Sequence, residues 1–202
     1  MRWASTKPSA PIRRQSRSTQ ITLPPTRAWR WRKPSGHADS WRGLAVAFDA
    51  TGNRAAAVEA VHRALEIQPG DSYSTYWLAV IQLTGGQAAE ALETFRKVDL
   101  GGFRLTGIAM AECTLHQGSE SQRAFNEAIA KTANGSAYQI AEAYAWCGEK
   151  DQAFQWLERA YRQHDTGLSE ITWGPLLASL RGDPRFTALL RKINFPEQTA
   201  SS

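Results

Sequence analysis

From Trp41 onward the apolar residues recur at the spacing of helices. Trp41, Leu44, Ala45 and Phe48 fall at i, i+3, i+4 and i+7, one stripe of a helix, and Thr51-Gly52-Asn53 interrupts it. A second stripe, Ala57, Val58, Val61, Ala64, Leu65 and Ile67, runs on to Pro69-Gly70. Two stripes joined by a short break make a helical hairpin. Continued along the chain, the pattern predicts helices near 39–51, 53–67, 72–84, 87–98, 103–117, 119–132, 136–147 and 150–163. The hairpins also repeat. Leu44-Ala45 returns as Leu78-Ala79, Gly52 as Gly86, Ala57 as Ala91, Val61 as Phe95 and Ala64 as Val98, each pair 34 residues apart. Ile140-Ala141, Tyr144, Gly148, Ala153, Leu157 and Ala160 bring the pattern back. Between them, Met110-Ala111, Gly118 and Ala124 keep it with a slip of one or two residues.

Ala45, Ala57 and Ala64 are small enough for two helices to approach closely, while Trp41, Phe48 and Val61 fill the volume beside them. One hairpin cannot bury so much apolar surface alone, so it must stack on the next. These residues resemble the tetratricopeptide repeat family. The period is that family's, and Trp41-x-x-Leu44-Ala45-x-x-Phe48, then Gly52, Ala57, Val61, Ala64 and Pro69, is similar to its signature with Ala where Gly is commonest and Val where Phe is. The unit at 72–104 lacks the closing proline, the unit at 105–133 is degenerate, and the unit at 134–167 matches again.

Ala141 to Tyr161, with Pro175 to Phe186 and Leu189-Leu190-Arg191, is similar to the repeat tails behind bacterial winged-helix regulators and adenylate/guanylate cyclase domains. Asp183 before Pro184 reads as a helix start, and Phe186, Leu189, Leu190 and Ile193 give that helix one apolar face. The resemblance implies an all-α, right-handed superhelix of about four tetratricopeptide-like hairpins over 38–195, closed by a C-terminal capping helix.

Charge divides the chain. Residues 1–40 hold nine Lys and Arg against Asp39 alone, whereas the remainder carries 15 basic and 18 acidic residues. The basic pI therefore belongs to the tail. That tail, residues 1–37, is rich in Pro, Ser and Thr without apolar period and is expected to be disordered, as are residues 196–202. Arg27-Ala28-Trp29-Arg30-Trp31-Arg32-Lys33 interleaves cations with indoles, a chemistry that stacks on bases or sits at an anionic membrane surface. The competing reading is a solvated low-complexity segment. A third is a start placed too far upstream, since no Met lies between Met1 and Met110. Nucleic acid is not an expected partner except through this tail. No run spans a bilayer, and the N-terminus lacks a secretory apolar region. Cys113 and Cys147 form neither a disulfide framework nor a zinc motif and read as small buried fillers, which makes a reducing cytoplasm the expected setting.

No dinucleotide, phosphate-loop, nucleophile-elbow or zinc-protease motif occurs, so no catalytic residue, cofactor or metal is expected. Glu112 and His116 stand at i and i+4 beside Cys113, and Glu142 holds the register equivalent of Glu112 in the next unit. An acidic patch meeting a basic side chain is preferred there over a metal. Trp146, Trp156 and Trp173 read as core residues rather than a ligand cage.

In the family, first helices line a concave groove, and some members grip a peptide carboxylate with Lys and Asn. Here those positions hold Arg42 and Val46, Tyr76 and Val80, Ile108 and Glu112, and Tyr138 and Glu142, so that clamp is missing. The groove is instead expected to be aromatic and apolar at Tyr73, Tyr76, Val80 and Leu83, and acidic near Glu112, His116 and Glu142, with Arg42 at one end and Tyr138 beside the second carboxylate. The function expected is a scaffold that binds a partner peptide or helix in this groove. The alternative is a truncated regulatory module of a cyclase or winged-helix regulator, acting in trans.

Overall fold

A computed structural model describes residues 37–115 and 118–195. The chain divides into two units, Met1–Lys33 and Pro34–Ser202, and every described residue belongs to the second. The expected tails, apart from His37, and residue His116 lie outside the described residues.

Every regular element in the described residues is helical. Nine α-helices run in order: α1 (Ala38–Ala50), α2 (Arg54–Ile67), α3 (Ser72–Thr84), α4 (Ala88–Arg96), α5 (Gly101–Leu115), α6 (Ser119–Thr132), α7 (Ala137–Trp146), α8 (Lys150–Gln163) and α9 (Pro184–Lys192). Among the described residues no helix is long and apolar enough to cross a membrane. Helices pair in sequence, α1 with α2, α3 with α4, α5 with α6 and α7 with α8, and α1, α3, α5 and α7 also touch in succession.

The small residues of the repeat explain that pairing. Ala45, Ala57, Ala64, Ala79, Ala91, Ala141, Ala153 and Ala160 are all fully buried, so backbones meet where a larger side chain would hold them apart. Between the two helices of a pair the chain reverses through Gly52, Gly86 or Gly148, each with φ between 76° and 83°, a left-handed conformation that costs glycine little. Asn53 and Asp71 cap α2 and α3 by accepting the amides of Ala56 and Ser74.

Gly101 and Gly102, which fall in the break between the helices predicted near 87–98 and 103–117, instead form the first turn of α5. Amides there need no helical acceptor, and a Cβ on Gly102 would collide with Ser136. α4 correspondingly ends at Arg96, and Val98 is buried in the connection that follows.

After α8 the chain does not pass directly to the closing helix. Residues 165–181 form a strap with two 3-10 turns, Thr166–Glu170 and Pro175–Leu180. Its apolar residues Ile171, Leu176, Leu177 and Leu180 are buried. Asp165 accepts the Tyr138 amide at 3.0 Å, Ser179 donates to the Ala145 carbonyl at 2.9 Å, and Arg181 donates to the Gly174 carbonyl at 2.8 Å. α9 then packs on α8, capped by Asp183 and tied by Arg185 to Asp151 at 2.7 Å. The core has two parts. One gathers α1 to α6 around Val61, Ile81, Phe95 and Met110, and the other gathers α7, α8, the strap and α9 around Leu157, Leu177 and Phe186. Leu176 of the strap belongs to the first cluster, so the strap reaches both.

Candidate functional site

The start of α3 holds a network that begins with its cap. Asp71 accepts the amide and hydroxyl of Ser74 at 2.9 and 2.5 Å, which leaves the same carboxylate oxygen to meet Arg42 of α1 at 2.8 Å. Burial pushes Asp71 up, but the Ser74 bonds and the Arg42 charge outweigh it and hold the carboxyl below its ordinary value. Arg42 also pairs with Asp39 at 2.7 Å and lies 5.5 Å from the centre of the Tyr73 ring. Tyr73 is 45% exposed and rests edge-on against Phe103.

Deeper along α3 and α7 sits a cluster of acids and phenols under the strap. Tyr76 and Tyr138 are 2% and 1% exposed, and Glu142 is 5% exposed. Burial raises the Glu142 carboxyl well above its ordinary value, and the neighbouring charges of Glu170 and Asp165 raise it further. Burial likewise raises Glu170, and it raises both tyrosines with the charges of Glu142 and Glu170 behind it. The Tyr138 hydroxyl couples to Glu142 but lies outside hydrogen-bonding geometry, so it is a buried hydroxyl without a bonded partner among the described residues. Gly167 and Gly174 let the strap come this close. A Cβ on Gly167 would stand 2.5 Å from the Tyr138 ring, and one on Gly174 would stand 3.3 Å from its hydroxyl.

Beside this cluster a cavity of about 570 Å³ opens between α1, α3 and the strap, lined by Asp39, Arg42, Val46, Ala47, Trp77, Glu170 and Trp173 among others. Trp173 stacks on Trp77 with ring centres 6.4 Å apart and planes 26° from parallel. Trp77 is buried, whereas Trp173 is 45% exposed, so the pair presents one open indole face.

These positions correct the expected groove. Tyr76, Val80, Leu83, Tyr138 and Glu142 are interior residues rather than an open surface. Tyr138 and Glu142 are covered by the strap, and Tyr76 packs against Trp77, Phe95 and Phe103. Arg42 and Tyr73 do lie together at an accessible edge. Glu112 and Glu142 do not share a channel: Glu112 faces Arg96 of α4 at 3.9 Å, and Glu142 faces the strap. Of the three tryptophans expected in the core, Trp173 is instead half exposed because its partner Trp77 supports only one face.

Cys113 and Cys147 are likewise not buried fillers. They form a disulfide between α5 and the end of α7, with Cα atoms 6.1 Å apart, and both are partly exposed. Their separation of 34 residues equals the repeat period. In the register where Glu142 follows Glu112, Cys113 aligns with Ala143 and Cys147 lies one helical turn further on, so the numerical spacing alone hinted at the pair. Trp77, Glu170 and Trp173 carried no comparable signal, because only the path of the strap brings residues 170 and 173 to α1 and α3.

Comparison with the models of known protein families returns no match, and neither does comparison with curated proteins.

Proposed function

We propose that this chain is a protein-interaction module, a stack of tetratricopeptide-like hairpins whose partner docks on the edge formed by α1, the start of α3 and the strap. The observation that carries this reading is two large aromatic residues, each 45% exposed, that both lie near Arg42: Tyr73 beneath its guanidinium, and Trp173 in the wall of the cavity that Arg42 also lines. Aromatic side chains flanking an arginine are the composition of binding hot spots, and isolated solubility does not require them there. The repeat of paired helices at 34-residue spacing supports the scaffold half of the reading. In this reading the usual groove is occupied by the chain's own strap, so a partner uses the rim that remains.

A photo-crosslinking residue placed at Trp173, compared with one at the exposed Gln155 of α8, tests it in cells of the native host. The expected result is a protein captured from position 173 and not from 155. Its affinity should fall roughly thirtyfold in Tyr73→Ala, the loss that follows from ~2 kcal/mol at a hot spot. Capture that is identical from both positions, or an affinity unmoved by Tyr73→Ala, refutes docking at this edge.

A further inference from the structure

The cavity between α1, α3 and the strap has a charge arrangement that its own residues leave uncompensated. Glu170 stands in its wall, half-buried, and Glu142 lies behind it beneath Gly174. The charges that bear on Glu142 are Glu170 and Asp165, both negative, and no Lys or Arg among the described residues neutralises either glutamate. The cations nearby are committed elsewhere. Arg42 is divided between Asp39 and Asp71, and Arg181 donates to the Gly174 carbonyl. The Tyr138 hydroxyl, fully buried beside Glu142, has no bonded partner among the described residues. The rest of the wall is the Arg42–Asp39 pair and an apolar surface made by Val46, Ala47, Ala50 and Trp173 stacked on Trp77.

We propose that this cavity is a receptor for an organic cation, a guanidinium or alkylammonium side chain that lies on the open face of Trp173 and pairs with Glu170. The chemistry excludes the other ligand classes. An anion would face Glu170 and Asp39, and the one guanidinium in the wall, Arg42, is already held by Asp39 and Asp71. A hard metal ion takes six or more oxygen ligands, which two carboxylates, one of them paired with Arg42, among indole and alanine do not supply. A neutral apolar ligand would bury Glu170 without a partner. A flat or alkylated cation gains the indole face and the carboxylate together. The protein source of that cation rests on the interaction reading above, but the receptor itself is testable without a partner.

The test uses the full chain labelled with ¹⁵N, following the indole N–H signals of its eight tryptophans, with the Trp173 signal assigned through Trp173→Phe. N-acetyl-arginine amide and N-acetyl-lysine amide are the probes, and N-acetyl-citrulline amide is the neutral counterpart of the first. The arginine or lysine probe is expected to shift the Trp173 signal saturably, with citrulline at least about fivefold weaker, since it keeps the shape and lacks the charge. Glu170→Gln should weaken cation binding about tenfold by removing a charge-assisted bond while keeping side-chain volume. Trp173→Leu, read through the Trp77 signal, should weaken it as well and guards against a misfolded Glu170 variant. Equal responses to arginine and citrulline, equal shifts at all indoles, or an unchanged affinity in Glu170→Gln would overturn the receptor. The two readings fail separately. Cation binding without any protein cross-linked from position 173 keeps the receptor and removes a protein as its source, whereas a cross-linked partner without cation binding does the reverse.

Discussion

Glu142 is the residue whose chemistry depends most on its surroundings. As a free side chain it is an ordinary acid on a helix, but between Tyr138 and the strap its carboxyl is raised well above the ordinary value of 4.5, first by burial and then by Glu170. A raised carboxyl means that the folded chain holds a proton which the unfolded chain has released above that ordinary value. The contribution to stability is therefore full below about pH 4.5 and is lost as pH rises toward the folded value. Glu170 and Asp49, both raised mainly by burial, act in the same direction. Glu142→Gln removes the ionisation and keeps the shape. It is expected to flatten the decline of the thermal midpoint as pH rises above the ordinary carboxyl value of 4.5, and to leave the variant more stable than the parent at the alkaline end of the profile. Parallel pH profiles for the variant and the parent would show that Glu142 is solvated as an anion in the folded chain.

Among the elements, the hairpins were legible and the strap was not. Helices α1 to α8 fall close to the segments that the apolar stripes predict because each stripe is buried against a partner one break away in sequence. The register is testable on α2. Ala57 is fully buried against α1, whereas Ala55 points to solvent. Ala57→Leu should cost ~1–3 kcal/mol through overpacking, and Ala55→Leu should be near neutral in denaturant melts. Equal costs at the two sites would place α2 in a different rotation. Pro184 and Asp183 announced α9, since a helix start is a local matter of caps and missing amides. Residues 165–181 show no helical period, because their apolar side chains are set by the surfaces of α3 and α7 that they cross, not by a stripe of their own.

At the level of the whole molecule, the disulfide ties the third helical pair to the fourth. Cys113 sits on α5, whose Ala109, Met110 and Ala111 belong to the first cluster, and Cys147 packs against that same cluster from the end of α7, whose Ala137, Tyr138, Ala141 and Ala145 belong to the second. Closing a loop of 34 residues restricts the unfolded chain by about 3 to 4 kcal/mol in the chain-entropy account. Reduction should therefore lower the thermal midpoint by roughly 10 °C for a domain of this size. Calorimetry with and without a phosphine reductant checks this, using Cys147→Ser as the control that reductant should not move. A midpoint indifferent to reductant in the parent would show that the bond does not contribute to stability.

What the sequence determined by itself is everything that depends on near neighbours. That covers the helical period, the breaks at Gly52, Gly86 and Gly148, the spacing of 34, and the separation of a basic tail from an acidic body. These follow from backbone conformation and from helices burying stripes against the next helix along the chain. The tertiary structure decided which surface stays open. Tyr76 and Tyr138 are amphipathic aromatic residues on first helices, as good a pair of groove anchors as a repeat offers, and both are interior. A segment about 30 residues beyond Tyr138 folds back over it, and no pattern within either segment encodes that meeting. The same return path raises Trp173 to the surface, brings Glu170 into the cavity wall and sets it beside the buried Glu142 with no cation at either among the described residues. Burial and uncompensated charge are properties of the packed chain, since each depends on what a distant segment covers.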